Sequence, residues 1–306
     1  MDNYKYRQEI QQMMFVSGAS NDPPIETVSL VEDIVRAQIV EIILQCTNLA
    51  RKRNARSISV DDVMFLFYHD AAKVNLLVNY LTWKDVRKNT RDSDGAPPDG
   101  TEILEDTLEP AKKPKKAKFS PSWRLGAMFN IDTLEEATTA NDDESDEEDD
   151  DEASAAMIER LKTADERTRN MSKEEYVHWS ECRQASFTYR KAKRFKDWAG
   201  IAHLTEARLQ DDIVDILGFL TFEIVATLTE AALKIKALEV TAPDQGGRPT
   251  YYKKQNSLFD KPNNDETPIL PKHIREAWRK YQSPSPRDYS LRTFARGSAR
   301  FQTRFI

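Results

Sequence analysis

The feature that most restricts this chain is an unbroken run at residues 29–53, SLVEDIVRAQIVEIILQCTNLARKR. Leu30, Val31, Ile34, Val35, Ile39, Ile42, Ile43, Cys46, Leu49 and Ala50 recur at three- and four-residue steps, with no proline or glycine between them. That period predicts an α-helix, roughly 35–40 Å long at 1.5 Å per residue. Ser29 and Glu32 have the spacing of a capping box, which places the helix start at residue 29. The polar residues leave only a narrow hydrophilic edge, so such a helix must be covered from more than one side.

A second run of the same kind spans residues 211–238, DDIVDILGFLTFEIVATLTEAALKIKAL, again without proline. Short amphipathic segments flank both runs. Before the first lies 4–16, closed by Ser17-Gly18 and the Asn21-Asp22-Pro23-Pro24 breaker. After it, Ser59 with Asp62 opens a helix over 60–69, and a further helix is predicted over 72–86. In the second half Ser172 with Glu175 makes another capping box, and Pro271 starts a short helix, PKHIREAWRKY. Short, long, short, twice over, is the pattern of an all-α protein built of two histone folds. One such fold leaves apolar surface on both sides of its long helix, and each few hundred Å² covered contributes several kcal/mol at about 25 cal/mol per Å². Two copies in one chain imply an intramolecular pair, which linkage favours. The expected layout is a first fold with an extra helix at 1–89, a disordered acidic linker at 90–154, a second fold at 155–283 and a basic tail at 284–306.

Charge supports that division. The net charge is −6, but residues 141–152 hold ten acids and no base, so the rest of the chain carries +4. Blocks of like charge with little apolar content cannot bury enough surface to order a segment. The linker also holds a lysine knot (Lys112, Lys113, Lys115, Lys116, Lys118) resembling a nuclear-localisation patch. Cys46 and Cys182 show no metal spacing and suit buried positions in a reducing compartment. No leader-like segment is seen, and no uninterrupted apolar run reaches the roughly 18 residues of a membrane span. Four dispersed histidines, with no HExxH, phosphate loop or nucleophile elbow, argue against an enzyme and imply no cofactor or metal.

The segments YRQEIQQMMFVSG, NDPPIETVSLVEDIVRAQIVEIILQ, HDAAKVNLLVNYLTWKDVRKN, ADERTRNMSKEEYVHWSECRQASF, RFKDW, DDIVDILGFLTFEIV and PKHIREAWRKY resemble the fungal Spt-class subunit of the SAGA coactivator. The resemblance covers about 1–90 and 160–283. It implies a nuclear, non-enzymatic transcription coactivator subunit that contacts the TATA-box-binding protein, alongside other SAGA subunits, and helps deliver it to promoters.

Candidate contact residues follow from the pattern. Asp215, Phe219, Glu223 and Glu230 fall near one stripe of the second long helix. An aromatic anchor with acids amid apolar flanks suits a basic partner, and the TATA-box-binding protein is basic. Arg56 and Asp62 are placed for an ion pair inside the first fold. The alternative function, a histone-like DNA-binding regulator, requires many phosphate contacts. Residues 1–90 hold 11 basic and 11 acidic side chains and do not offer them, whereas Arg190, Lys191, Lys193, Arg194 and Lys196, interleaved with aromatics, are a possible basic contact surface. Tail residues Arg292, Arg296, Arg300 and Arg304 share a four-residue spacing, and Ser283-Pro284 and Ser285-Pro286 are candidate phosphorylation dipeptides.

Overall fold

The computed structural model describes residues 4–20, 22–94, 155, 158–205, 209–241, 268–283 and 303–306. The linker's lysine knot and acidic run, and the tail arginines before residue 303, lie outside the described residues. Every regular element described is an α-helix, so the expected all-α class holds. They are α1 (Arg7–Val16), α2 (Ile25–Lys52), α3 (Val60–Leu66), α4 (Ala71–Asp94), α5 (Lys173–Arg183), α6 (Ala192–Ala199), α7 (Ile201–Leu204), α8 (Asp211–Thr241) and α9 (Pro271–Gln282); residues 158–168 are also helical. The short–long–short order appears around both α2 and α8. The chain divides into two compact units, Met1–Ile58 with Glu166–Ile306, and Ser59–Asp165.

In the first unit, α2 starts earlier than its capping signal predicts. The helix begins at Ile25, straight after Pro24, whose backbone (φ −54°, ψ 140°) is extended. Ser29 and Glu32 therefore lie inside the helix and are buried, and the box expected there does not form. The reason is tertiary: the diproline already turns the chain into a helix, and Glu32 bonds groups far away in sequence. The other two boxes form as expected. Ser172 Oγ accepts from the Glu175 amide at 3.3 Å while Glu175 Oε2 accepts from the Ser172 amide at 2.8 Å. These bonds hold the exposed Glu175 carboxyl below its ordinary pKa. The segment after α5 loops through Arg190, at φ 55°, before α6 begins.

α8 packs against α1, α2 and α9, and α2 packs against α1, α6, α7 and α9. The shared core holds Ile10, Met13 and Met14 of α1, Val31, Val35, Ile39 and Ile42 of α2, and Ile216, Val225 and Leu228 of α8. Fully burying one such side chain is worth about 1.5–3 kcal/mol. Helices from both halves of the sequence thus fill one core. Gly218 lets the α5–α6 loop lie against α8: a Cβ there would sit 2.1 Å from Thr188 Oγ1 and 2.7 Å from its Cγ2. By length and mean hydropathy α8 could cross a membrane, but 56% of its apolar stretch is buried inside the protein, the state of a core helix.

The second unit contains α3 and α4. Ser59 and Asp62 close the predicted box, Ser59 N donating to Asp62 Oδ2 at 2.8 Å. Asp70 caps α4 by accepting from the Lys73 amide at 3.1 Å. Val74, Leu77 and Leu81 are the buried side of α4, whereas Trp83 is 52% exposed. Near the end of α3, Phe65 stacks on Tyr68 of the following turn at 5.0 Å, both partly exposed.

Candidate partner-binding surface

α8 carries its polar groups where its period leaves room. Ile213, Val214, Ile216, Leu217, Leu220, Ile224, Val225 and Leu228 are buried. Asp215, Phe219, Glu223 and Glu230, at steps of four, four and seven, are half-buried. Such steps keep all four on one side of a helix, so the structure brings the predicted residues into one band. Glu230 accepts from Arg167 Nη2 at 2.9 Å. Both members are partly exposed, and such a pair contributes at most about 1 kcal/mol.

The basic segment takes a different form. Lys191 Nζ donates to Glu9 Oε1 of α1 at 2.6 Å, with Arg194 Nη1 at 4.0 Å from the same oxygen. The Arg194 guanidinium also lies 4.9 Å from the Tyr6 ring centroid and donates to the Lys5 carbonyl. Lys196 faces Asp211 at 3.5 Å. Arg190, stacked over Tyr189, and Lys193 point to solvent. Three of the five predicted cations therefore have protein carboxylate partners. Sequence reasoning could not see this, because Glu9 is 182 residues from Lys191.

It also missed a deeply buried carboxylate. Glu32, 1% exposed, accepts from the Lys5 amide at 2.8 Å, the Tyr6 amide at 3.2 Å and Trp198 Nε1 at 2.9 Å. The carboxylate thus binds orphan backbone donors at the start of α1 and the indole of α6 together. Around it Tyr6 stacks on Phe187 at 4.2 Å, and Trp198 meets both edge-on at 5.2 and 5.6 Å. Burial pushes the Tyr6 phenol pKa far up, so it stays protonated. No local pattern announces this cluster. The only clue is an acid on the apolar side of a helix.

Arg56 belongs to the first unit and Asp62 to the second; within its own unit Asp62 serves the α3 cap. At the other end of the core His273 is 4% exposed: its Nδ1 accepts from the Leu270 amide at 3.1 Å, so Nε2 carries the proton toward Glu239 Oε2 at 2.8 Å. Lys272 binds the same carboxylate. Cys182 Sγ lies 3.6 Å from His178 Nε2, but burial pushes the thiol pKa up, the opposite of an activated nucleophile. No metal-holding group of three or more His, Cys, Asp or Glu exists among the described residues.

Comparison with known proteins gives this geometry a context. Residues 4–95, the span that holds α1 to α4, match the family model of the transcription initiation factor IID 18 kD subunit. Over 86 residues the chain is 30% identical to TFIID subunit 13 of Arabidopsis thaliana, spanning 28% of this chain and 67% of that protein. Along 97% of both chains it is 49% identical to SAGA complex subunit SPT3 of Saccharomyces cerevisiae. With SAGA complex subunit Spt3 of Schizosaccharomyces pombe it shares 44% identity, over 96% of this chain and 94% of that one. These names denote subunits of transcription complexes rather than enzymes. Agreement of this depth over nearly the whole length shows that the chain belongs to the SPT3 family.

Proposed function

We propose that the chain is a nuclear, non-catalytic subunit of a SAGA coactivator, in which it binds the TATA-box-binding protein and helps bring it to promoters. Two histone folds, in 1–89 and 155–283, pair within the chain and carry the contact. Asp215, Phe219, Glu223 and Glu230 on α8 meet the basic partner, and other SAGA subunits cover further surface. The observation behind this reading is the contrast between two surfaces. The acidic, aromatic band of α8 leaves four side chains half exposed, one of them, Glu230, bound to Arg167, whereas three of the five cations of the basic segment, Lys191, Arg194 and Lys196, are held by carboxylates of the same protein. Within that segment Arg190 and Lys193 are left to meet phosphates, fewer contacts than wrapping DNA requires.

The test is Glu223→Lys in the full-length chain. Capture of the TATA-box-binding protein in the presence of nuclease should weaken on the order of tenfold, as expected for charge reversal in a complementary interface, with helical content and melting unchanged. Undiminished capture removes the α8 band from the reading. Retention of duplex DNA with a steep salt slope, together with nuclease-sensitive capture, favours the histone-like DNA-binding regulator instead.

A further inference from the structure

The end of α9 and residues 303–306 form a small built site. Ser283 follows the last residue of α9 and is exposed, with extended backbone (φ −66°, ψ 131°), as the residue before Pro284 should be. Its Oγ donates to the Arg279 carbonyl at 2.8 Å. The short strap formed by 303–306 lies beside it. Gln282 grips Arg304 by both edges, its Nε2 donating to the Arg304 carbonyl and its Oε1 accepting from the Arg304 amide, each at 3.0 Å. Two residues on, the Ile306 amide donates to Gln38 Oε1 of α2 at 3.2 Å, and Ile306 is buried. The strap therefore ties α9 to α2. Its backbone anchors hold the Arg304 guanidinium at Ser283, where Nη1 donates to the serine carbonyl at 3.3 Å.

We propose that Ser283 is the acceptor for a proline-directed protein kinase, and that Arg304 receives the resulting phosphate and tightens the strap on α9 and α2. Ser283 Oγ attacks the γ-phosphorus of ATP, the bond to the β,γ-bridging oxygen breaks, ADP leaves, and the hydroxyl proton passes to the kinase's base. Three features favour acceptance: the proline directly after the serine, the extended backbone, and a last helical turn that is open to solvent and therefore able to fray.

The effect on the strap is a balance. Modification removes the Oγ bond to the Arg279 carbonyl and puts a dianion at a helix C-terminus, which the helix dipole opposes. Against this, a guanidinium and a phosphate make paired charge-assisted hydrogen bonds, each about twice as strong as a neutral one. Arg279 is already committed to Glu276 at 2.6 and 2.7 Å. Arg304, whose guanidinium donates to the Ser283 carbonyl at 3.3 Å, is the cation already beside the acceptor, and its backbone is fixed by Gln282.

The experiment uses the full-length chain with Ser120→Ala, Thr267→Ala and Ser285→Ala, so that Ser283-Pro284 is the one Ser/Thr-Pro dipeptide that remains. It is treated with a proline-directed kinase and Mg-ATP, and the phosphate is mapped by mass spectrometry. Hydrogen exchange is then followed at the Arg304 and Ile306 amides. Stoichiometric phosphate on Ser283 and exchange slowed on the order of fivefold are expected, the scale of one or two gained charge-assisted bonds shared with solvent. In Arg304→Ala the same phosphate should form without slowing exchange. Failure of Ser283 to accept phosphate overturns the proposal, as does exchange that is unchanged or faster after modification. A slowing that persists in Arg304→Ala overturns the role given to that arginine.

Discussion

α2 and α8 are the two long helices of one core, yet they handle buried polar groups in opposite ways. In α2 these groups reach outward. Glu32 gathers the start of α1 and Trp198, Thr27 Oγ1 donates to the Ile269 carbonyl at 3.0 Å, and Gln38 receives Ile306. In α8 they turn back on their own helix: Thr221 Oγ1 donates to the Gly218 carbonyl at 2.6 Å and Thr229 Oγ1 to that of Val225 at 2.7 Å. α8 therefore supplies an apolar wall that is indifferent to which neighbour lies on it, while α2 dictates which segments attach and in what register. Directional bonds specify a partner in a way that area burial does not.

The largest test of this contrast is Glu32→Ala. It leaves the Tyr6 amide and the Trp198 indole N–H buried, and the Lys5 amide half-buried, without an acceptor, so a loss of about 3–5 kcal/mol is expected. Urea unfolding of the full-length chain measures it. Glu32→Gln should recover part of the loss, since its amide oxygen still accepts. A loss below about 1 kcal/mol for the alanine variant would remove α2 from its specifying role.

Gly218→Ala probes the α8 wall next. In an open helix this exchange stabilises by about 1 kcal/mol. Here the added methyl meets Thr188, and overpacking should turn the effect into a loss of about 1–3 kcal/mol. The Thr188→Ala background deletes the atoms at 2.1 and 2.7 Å and should return much of it, a coupling read from a double-mutant cycle.

The smallest effect is expected at Glu239, where α8 does reach outward, but at its exposed end. Hydrogen bonds from Lys272 and then His273 hold this carboxyl below its ordinary pKa. A carboxyl lowered by folding contributes stability above its unfolded pKa and loses it as pH falls through the lowered value. Glu239→Gln should therefore cost less than about 1 kcal/mol at neutral pH, because the pair is half exposed and screened. The two proteins should melt alike once the glutamate carboxyl is protonated in both the folded and the unfolded state. A difference that persists in acid would mean the glutamate acts by packing rather than by charge.

Much of this fold was legible from spacing alone. The apolar periods of α2 and α8, the boxes at Ser59 and Ser172, and Pro271 at the start of α9 all describe groups within four residues of each other, and there the local rules applied. The half-open band of Asp215, Phe219, Glu223 and Glu230 was legible for the same reason. The Ser29–Glu32 signal misled because an identical local pattern serves a different purpose when its carboxylate is buried. The basic segment at 190–196 looked like a solvent face, although Lys191 and Arg194 answer to Glu9, and the glycine in α8 gave no sign of the threonine it accommodates. In each of these cases the deciding partner lies far away along the chain, where spacing carries no information.

The bond from Thr27 to Ile269 spans 242 residues, and the one from Gln38 to Ile306 spans 268. On a ribosome adding about 5–20 residues per second, α2 emerges roughly ten to thirty seconds before α8 exists to cover it. During that interval its isoleucine-rich flank is bare. Newborn chains of this protein should therefore need a chaperone to shelter them until translation has nearly ended.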